Sequence, residues 1–276
     1  MPRRISRDAR PARQGGHFVS PSATGAKKAA APRHGLARVL SKAGVCSRAE
    51  AARRVLAGRV AVDGRVVRDP EFPVVLTRQR VTMDGEPLVA ARRLYVALNK
   101  PRGLVTSVRD EQGRDTVYRC FDGAGLPWLA PVGRLDKASE GLLFFSNDPE
   151  WAAWLTDPAT GPLKTYRVQI DGVPDAAQLA RMQEGIEDAG EHLAAHSVAV
   201  LRRSERTAWL EIVLDEGRNR HIRRLLQVLG FEVLRLVRVA IGPVPLGELG
   251  KGQWRMLEAA ELEALAGAAA GSPTNS

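Results

Sequence analysis

Leu36, Val39 and Leu40 recur at the spacing of one helix face, and Gly44 ends that pattern. Ser47 then stands as an N-cap with Glu50 three residues on, the spacing of a capping box. Ala49, Ala52, Arg53, Val55 and Leu56 carry a second helix to Gly58. Past Gly58 the period changes. Val60 to Val67 is a β-rich run broken by Asp63-Gly64, which predicts a type I′ hairpin. Val81-Thr82-Met83 and a second turn at Asp84-Gly85 follow. Residues 36–95 are thus predicted as helix, helix, hairpin and strand.

The next stretch is mostly alternating. Leu94 to Leu98 predicts a strand, Asn99 to Gly103 a turn, and Leu104 to Val108 a return strand. The apolar run from Gly141 to Ser146 predicts a buried strand, and Asp136 falls in the loop just before it. Lys164 to Ile170 alternates, with Lys164, Tyr166, Val168 and Ile170 on one face. Ala208 to Leu214 is another strand. Glu216 to Asn219 turns into a helix from Arg220 to Leu229. Ile222, Leu225, Leu226 and Leu229 form its apolar stripe, and Arg220, Arg223 and Arg224 lie on the other side. Phe231 to Ile241 closes as a strand. Residues 96–262 therefore predict a mixed or antiparallel sheet with a few helices, and the whole chain an α+β fold.

Composition changes this picture at the ends. Residues 1–35 hold eight Lys/Arg and one acid and few large apolar side chains, which predicts a disordered basic tail. Arg-rich, acid-poor composition also fits an organelle transit peptide, but Pro2, Pro11, Gly15 and Gly16 interrupt any amphipathic helix. No apolar core of a secretory signal is present. Residues 263–276, mostly Ala, Gly, Ser, Pro, Thr and Asn, predict a frayed tail. No run of 18 apolar residues occurs in the 276-residue chain, which predicts no membrane span. Cys46 and Cys120 alone give neither a disulfide framework nor a zinc set, as in a reducing, cytoplasmic setting.

The net charge of +10 is unevenly placed: residues 1–35 carry +7, residues 36–95 carry +6, and residues 96–276 carry −3. The basic third points to a polyanionic partner, nucleic acid first. Within it Arg38, Lys42, Arg48, Arg53 and Arg54 cluster on the two predicted helices, where Arg suits bidentate phosphate contact. A solvated helix face is the bland alternative.

Several chemistries are excluded. Neither standard Gly-rich phosphate loop is present, nor a Gly-x-Ser-x-Gly elbow. His192 and His196 lie four apart, but two surface histidines without a third ligand predict no metal site. Spacing alone leaves Asp136 open between a turn residue, an ion-pair residue and a nucleophile.

Two resemblances narrow the choice. Arg38 to Arg48, then Gly58-Arg59-Val60 and Val62-Asp63-Gly64, resemble the small RNA-binding domain named after ribosomal protein S-four. Gly133-Arg134-Leu135-Asp136-Lys137-Ala138-Ser139-Glu140-Gly141-Leu142-Leu143 resembles the signature of ribosomal RNA pseudouridine synthases of the branch carrying that domain. Asn99-Lys100-Pro101 with Gly103, Lys164-Thr165-Tyr166, Glu216 to Leu225, and Leu236, Arg238, Gly242, Gly252, Trp254 and Arg255 match in the same order. His221 departs from the pattern, which has Gln there.

By that resemblance Asp136 is the catalytic carboxylate, Arg223 its basic partner, and Tyr166 the residue that stacks on uracil. Arg134, Lys164, Arg220 and Arg224 are implied phosphate contacts near the pocket. The implied reaction isomerises uridine to pseudouridine in ribosomal RNA, free or within a subunit precursor. It is redox-neutral and loses no atoms, so it needs no metal or organic cofactor. Family likeness leans to a monomer. A non-enzymatic RNA-binding or ribosome-assembly factor, and the same chemistry on tRNA, are the alternatives.

Overall fold

The computed structural model describes residues 34–108, 110 and 112–270, so the disorder expected for residues 1–33 and 271–276 lies outside them. The first module runs β1 (His34–Gly35), α1 (Leu36–Lys42), α2 (Arg48–Leu56), β2 (Val60–Val62), β3 (Arg65–Val66), β4 (Pro73–Val74), β5 (Val81–Met83) and β6 (Glu86–Pro87). Its core is Leu36, Leu40, Ala51, Val55, Val60 and Val81, which join the two helices to the sheet β3-β2-β5-β6. Asp63 at φ 51° and Gly64 at φ 79° have the two positive dihedrals of the predicted hairpin turn.

Two details differ from expectation. Ser47 Oγ accepts the Glu50 N–H at 3.1 Å, yet the Glu50 carboxylate binds Arg53 and Arg54 instead of closing the capping box. Two guanidiniums one turn away outcompete a single backbone N–H. His34 and Gly35, placed by composition in the disordered tail, pair as a strand with Val74 and Pro73.

The second module opens with β7 (Tyr95–Lys100), β8 (Ala130–Val132), β9 (Glu140–Ser146) and α3 (Pro149–Thr156). It continues with β10 (Lys164–Asp171), α4 (Ala176–Glu184), β11 (Ile186–Asp188), β12 (Glu191–Leu193), β13 (Ser197–Arg203) and β14 (Thr207–Leu214). Then come α5 (His221–Val228), β15 (Glu232–Ile241), β16 (Val244–Pro245), β17 (Trp254–Met256) and α6 (Ala259–Ala270). The main sheet has the order β13-β14-β10-β15-β9-β7-β17, with β16 on β15 and β8 on β9. Only the β15–β9 pair is parallel, so the sheet is mixed and the fold is α+β.

The apolar run of β9 is continuous because both its faces are covered. Leu143 and Phe145 join a core with α4 and α5 residues Met182, Leu225 and Leu226. Leu142 and Phe144 join another, with Leu155 of α3 and Leu265 of α6. Gly141 is required where β9 meets β15. It sits at φ +106°, and a Cβ there would lie 2.3 Å from the Arg238 carbonyl oxygen. Gly141→Ala should therefore cost about 3 kcal/mol or more of stability, read as a lowered denaturant midpoint. An unchanged midpoint would show that the two strands can separate freely.

Three expectations are corrected here. Leu104 to Val108 forms no return strand beside β7, because β9 and β17 occupy both edges of β7; Val105 makes only an isolated bridge to Thr116. Tyr95, assigned to the first domain, starts β7 and pairs with Ser146. The chain does not fray after 262 but stays helical to Ala270, with Leu265 fully buried. Burying such a side chain contributes about 1.5–3 kcal/mol, enough to order a segment whose composition alone suggests a tail.

Asn147 fastens the connection between the modules. Its side chain accepts the Leu94 N–H at 2.9 Å and donates to the Arg92 carbonyl at 2.8 Å. Ala91 N–H donates to the Ala43 carbonyl, and Lys42 pairs with Glu150, each at 2.9 Å.

Candidate active site

Asp136 lies in the loop between β8 and β9, and that loop is tied down from two sides. Lys100, fully buried at the end of β7, donates to the carbonyls of Asp136 (3.1 Å), Ser139 (2.8 Å) and Pro101 (3.2 Å). Thr106 Oγ donates to the Leu135 carbonyl at 2.7 Å, and Gly103 N–H donates to the Lys137 carbonyl at 2.7 Å. The segment that failed to form a strand thus serves as a brace for the Asp136 loop. Burial lowers the Lys100 pKa from 10.5 to about 8, against the opposing pull of the Asp136 charge.

The loop opens on a cavity of about 480 Å³. Its charged lining is Arg134, Lys164, Arg218, Arg220, Arg223 and Arg238, against the carboxylates Asp136 and Glu216. Glu216 is held by Arg218 at 2.7 Å. Asp136 has no side-chain partner among the described residues, so it is the uncommitted carboxylate of a cationic pocket. Tyr166 is buried in the wall on β10, directly across from Arg238 on β15.

The sequence-derived residues divide as follows. Asp136, Tyr166, Arg223, Arg134, Lys164 and Arg220 all line this cavity. Arg223, expected to pair with Asp136, makes no ion pair with it. Its guanidinium donates to the carbonyls of Ala138 (3.2 Å) and Val233 (3.3 Å). Burial and the neighbouring Arg220 lower its pKa, and the Asp136 charge across the cavity raises it. Its task in the free protein is to bind the Asp136 loop to β15, since Ala138 belongs to that loop. Arg220, the α5 N-cap, has the left-handed φ of 50°; its side chain is exposed and unpaired among the described residues. Burial and the charge of Arg238 lower the Lys164 pKa.

Arg224 does not reach the cavity. Its guanidinium binds the Asp188 carboxylate at 2.5 Å, the Asp188 carbonyl at 2.7 Å and the Glu191 carboxylate, fixing the β11–β12 hairpin to α5. Helical spacing puts Arg223 and Arg224 on one polar side, but only the partner hairpin decides which one turns inward. Arg224→Gln should lower the denaturant midpoint and leave KM for RNA within about twofold. A large rise in KM with unchanged stability would restore Arg224 as a substrate contact.

Arg238 was missed as a site residue. It is buried, its Nε donates to the Leu142 carbonyl at 2.7 Å, and one terminal nitrogen is buried without a partner. The signal was its place two residues after inward-facing Leu236 on an alternating strand. His221 also lines the cavity, 3% exposed, beside the Ala194 backbone and with Nδ1 3.7 Å from Glu216 Oε1. Burial lowers its pKa against the pull of Glu216, which favours the neutral ring.

In the first module, four of the five helix cations are engaged: Lys42 with Glu150, Arg48 with Glu71, and Arg53 and Arg54 with Glu50. Arg38 is exposed and unpaired among the described residues. Arg65, and Arg78 and Arg80, which sequence spacing did not single out, are also exposed, with side chains uncommitted among the described residues. Exposed ion pairs are weak and can yield to phosphate. His192 and His196 lie on β12 and in a loop rather than on one helix face. No helix among the described residues is long and apolar enough to cross a membrane.

An RNA pseudouridine synthase of Aquifex aeolicus, itself uncharacterised, is 38% identical over 230 residues, covering 83% of this chain and 92% of its own. The chain belongs to the RNA pseudouridine synthase family. The RNA pseudouridylate synthase family model matches residues 94–228, and the S4 domain model matches residues 35–77. Ribosomal large subunit pseudouridine synthase E of Xanthomonas campestris is 37% identical over 60% of this synthase and 96% of its own length. A crystal structure of a pseudouridylate synthase superposes with TM-score 0.59 at 28% identity, covering 84% of this chain and 99% of that one. The synthase thus joins an S4 RNA-binding domain to an isomerase domain, and the cationic cavity lies in the latter.

Proposed function

We propose that this synthase isomerises a uridine of large-subunit ribosomal RNA, with Asp136 as its catalytic carboxylate. The observation that carries the proposal is that Asp136 is the one cavity carboxylate without a side-chain partner among the described residues, held by its backbone in a pocket lined by six cations. The ribosomal target rests on the names of the relatives and on the basic S4 domain.

The target nucleotide must leave its stack to reach Asp136. Arg134 and Arg220 are exposed at the cavity and uncommitted among the described residues, placed to take its flanking phosphates. As the bond from C1′ to N1 breaks, the Asp136 carboxylate stabilises the positive charge on the anomeric carbon, as carboxylates do in glycoside chemistry. The freed uracil turns in place and its C5 bonds to C1′. The C5 proton leaves and N1 takes up a proton, so the atoms balance. Tyr166 offers a flat face for the base and a hydroxyl toward its reacting edge. Arg223 and the half-satisfied Arg238 compensate the charge of the bound nucleotide.

The test is to map pseudouridines by carbodiimide labelling and primer extension in ribosomal RNA from cells lacking the gene. Loss of one or a few stops, restored by wild type and not by Asp136→Asn, supports the proposal. Persistence of every ribosomal stop overturns the target, and restoration by Asp136→Asn overturns the residue.

A further inference from the structure

The sheet that carries Tyr166 on its inner face has a second face that the chemistry leaves unused. Across four neighbouring strands Arg202 of β13 pairs with Trp209 of β14, Trp209 with Gln169 of β10, and Gln169 with Arg235 of β15. These four side chains form one row. Both guanidiniums lie over the indole, Arg202 at 5.2 Å and Arg235 at 5.8 Å from its centroid. Arg167, opposite Glu211, stands in the next row.

The helices do not cover this region. The buried side chains of α4 and α5 belong to the inner core, and those of α3 and α6 pack on the β7–β9 end. Trp209 stays half-exposed, and Arg167 and Arg202 are exposed without carboxylate partners among the described residues. The face holds Arg167, Arg202, Arg235 and Lys251 alongside Glu140, Glu211, Asp171 and Glu232, with Glu140 bound by both Arg235 and Lys251. Its charges balance in number, but Asp171 and Glu232 lie at the β10–β15 end, so the cations Arg167 and Arg202 beside Trp209 stay free to meet phosphate.

A flat sheet with an aromatic ring among cations is the arrangement on which single-stranded nucleic acid stacks. A base can stack on the Arg202 guanidinium that lies over Trp209, and its phosphates have Arg167 and Arg202. We propose that the outer face of β13, β14, β10 and β15 is a second RNA surface, taking a single-stranded segment that flanks the modified site. It rests on the chain acting on RNA and adds a contact remote from the catalytic cavity. It would let the synthase hold a flexible strand on one side of the sheet while the target uridine enters from the other.

The test uses the full chain and two labelled RNAs: a blunt hairpin, and the same hairpin with a single-stranded oligouridine extension of about 12 nucleotides, within one platform's reach. Arg202→Glu changes an exposed side chain, and Trp209→Thr keeps a strand-forming residue; circular dichroism checks both folds. Each variant should bind the extended RNA about tenfold more weakly and the blunt hairpin within about twofold of wild type. Arg202→Glu should also flatten the salt dependence for the extended RNA, because fewer phosphates are neutralised. Equal affinity of wild type and both variants for the extended RNA overturns the proposal and leaves the face to a protein partner. Failure of wild type to bind either RNA overturns the RNA reading itself, a different and distinguishable result.

Discussion

Asp136→Asn should reduce pseudouridine formation by at least about a thousandfold, the scale on which loss of a group acting directly on the reacting atoms is felt. Asn keeps the size and removes the negative charge, so it can neither attack the sugar nor stabilise an anomeric cation. The side chain is half-buried and makes no ion pair or hydrogen bond among the described residues. Its replacement should therefore change stability by no more than about 0.5 kcal/mol. RNA affinity should hold or rise slightly, since a negative charge leaves a cationic pocket. The assay is release of tritium from RNA carrying 5-tritiated uridine, with affinity measured on the same RNA. Full activity in a folded, RNA-binding variant would remove Asp136 from the chemistry and return the cavity to a binding role.

Lys100→Met should give the second-largest effect, and it should reach both stability and catalysis. The ammonium holds three carbonyls, two of them in the Asp136 loop, and is fully buried. Met fills the space and leaves those carbonyls without their donor, at about 1–3 kcal/mol for each buried group left unsatisfied. The total should be about 3 kcal/mol. The Asp136 loop should loosen, so kcat should fall by tenfold or more while KM changes by about twofold or less.

The lowered pKa of Lys100 adds a pH signature. Its folded pKa is about 8 and its unaltered value 10.5. Between these values the unfolded chain binds the extra proton, so stability rises with pH across that window. The gain is complete above 10.5 and is lost as pH falls to about 8. Denaturant melts at pH 7.5 and 9.5 should show this rise for wild type and not for Lys100→Met. An equal slope in both would assign the titration elsewhere. Unchanged stability and kcat in the variant would show that Thr106 and Gly103 suffice to hold the loop.

The positions of Asp136 and Tyr166 in the fold were legible in the sequence because each sits in a local pattern with one placement, while their roles rest on the family resemblance. A loop before a buried apolar run places Asp136 at a strand's mouth, and strict alternation puts Tyr166 with Val168 and Ile170. The hairpin at Asp63-Gly64 was legible for the same reason, since only small or polar residues accept both positive dihedrals. Lys100 was visible only as part of a turn motif. Nothing local shows that its ammonium crosses to a loop some 36 residues away. The choice between Arg223 and Arg224 was likewise closed to spacing. Adjacent residues on a helix share a polar side, and the Asp188–Glu191 hairpin alone claims Arg224.

The α+β class, the division into a basic RNA-binding module and an isomerase domain, and the carboxylate before β9 were determined by the sequence itself. Each follows from period, turn chemistry or motif order within a short window. The tertiary structure decided the rest: the brace from residues 103–106, the inward turn of Arg223, the helix through Ala270, and the row of Arg202, Trp209, Gln169 and Arg235. Those features arise from contacts between segments far apart in the chain. Burial and pairing in such contacts outweigh the few tenths of a kcal/mol by which local propensity favours one conformation over another.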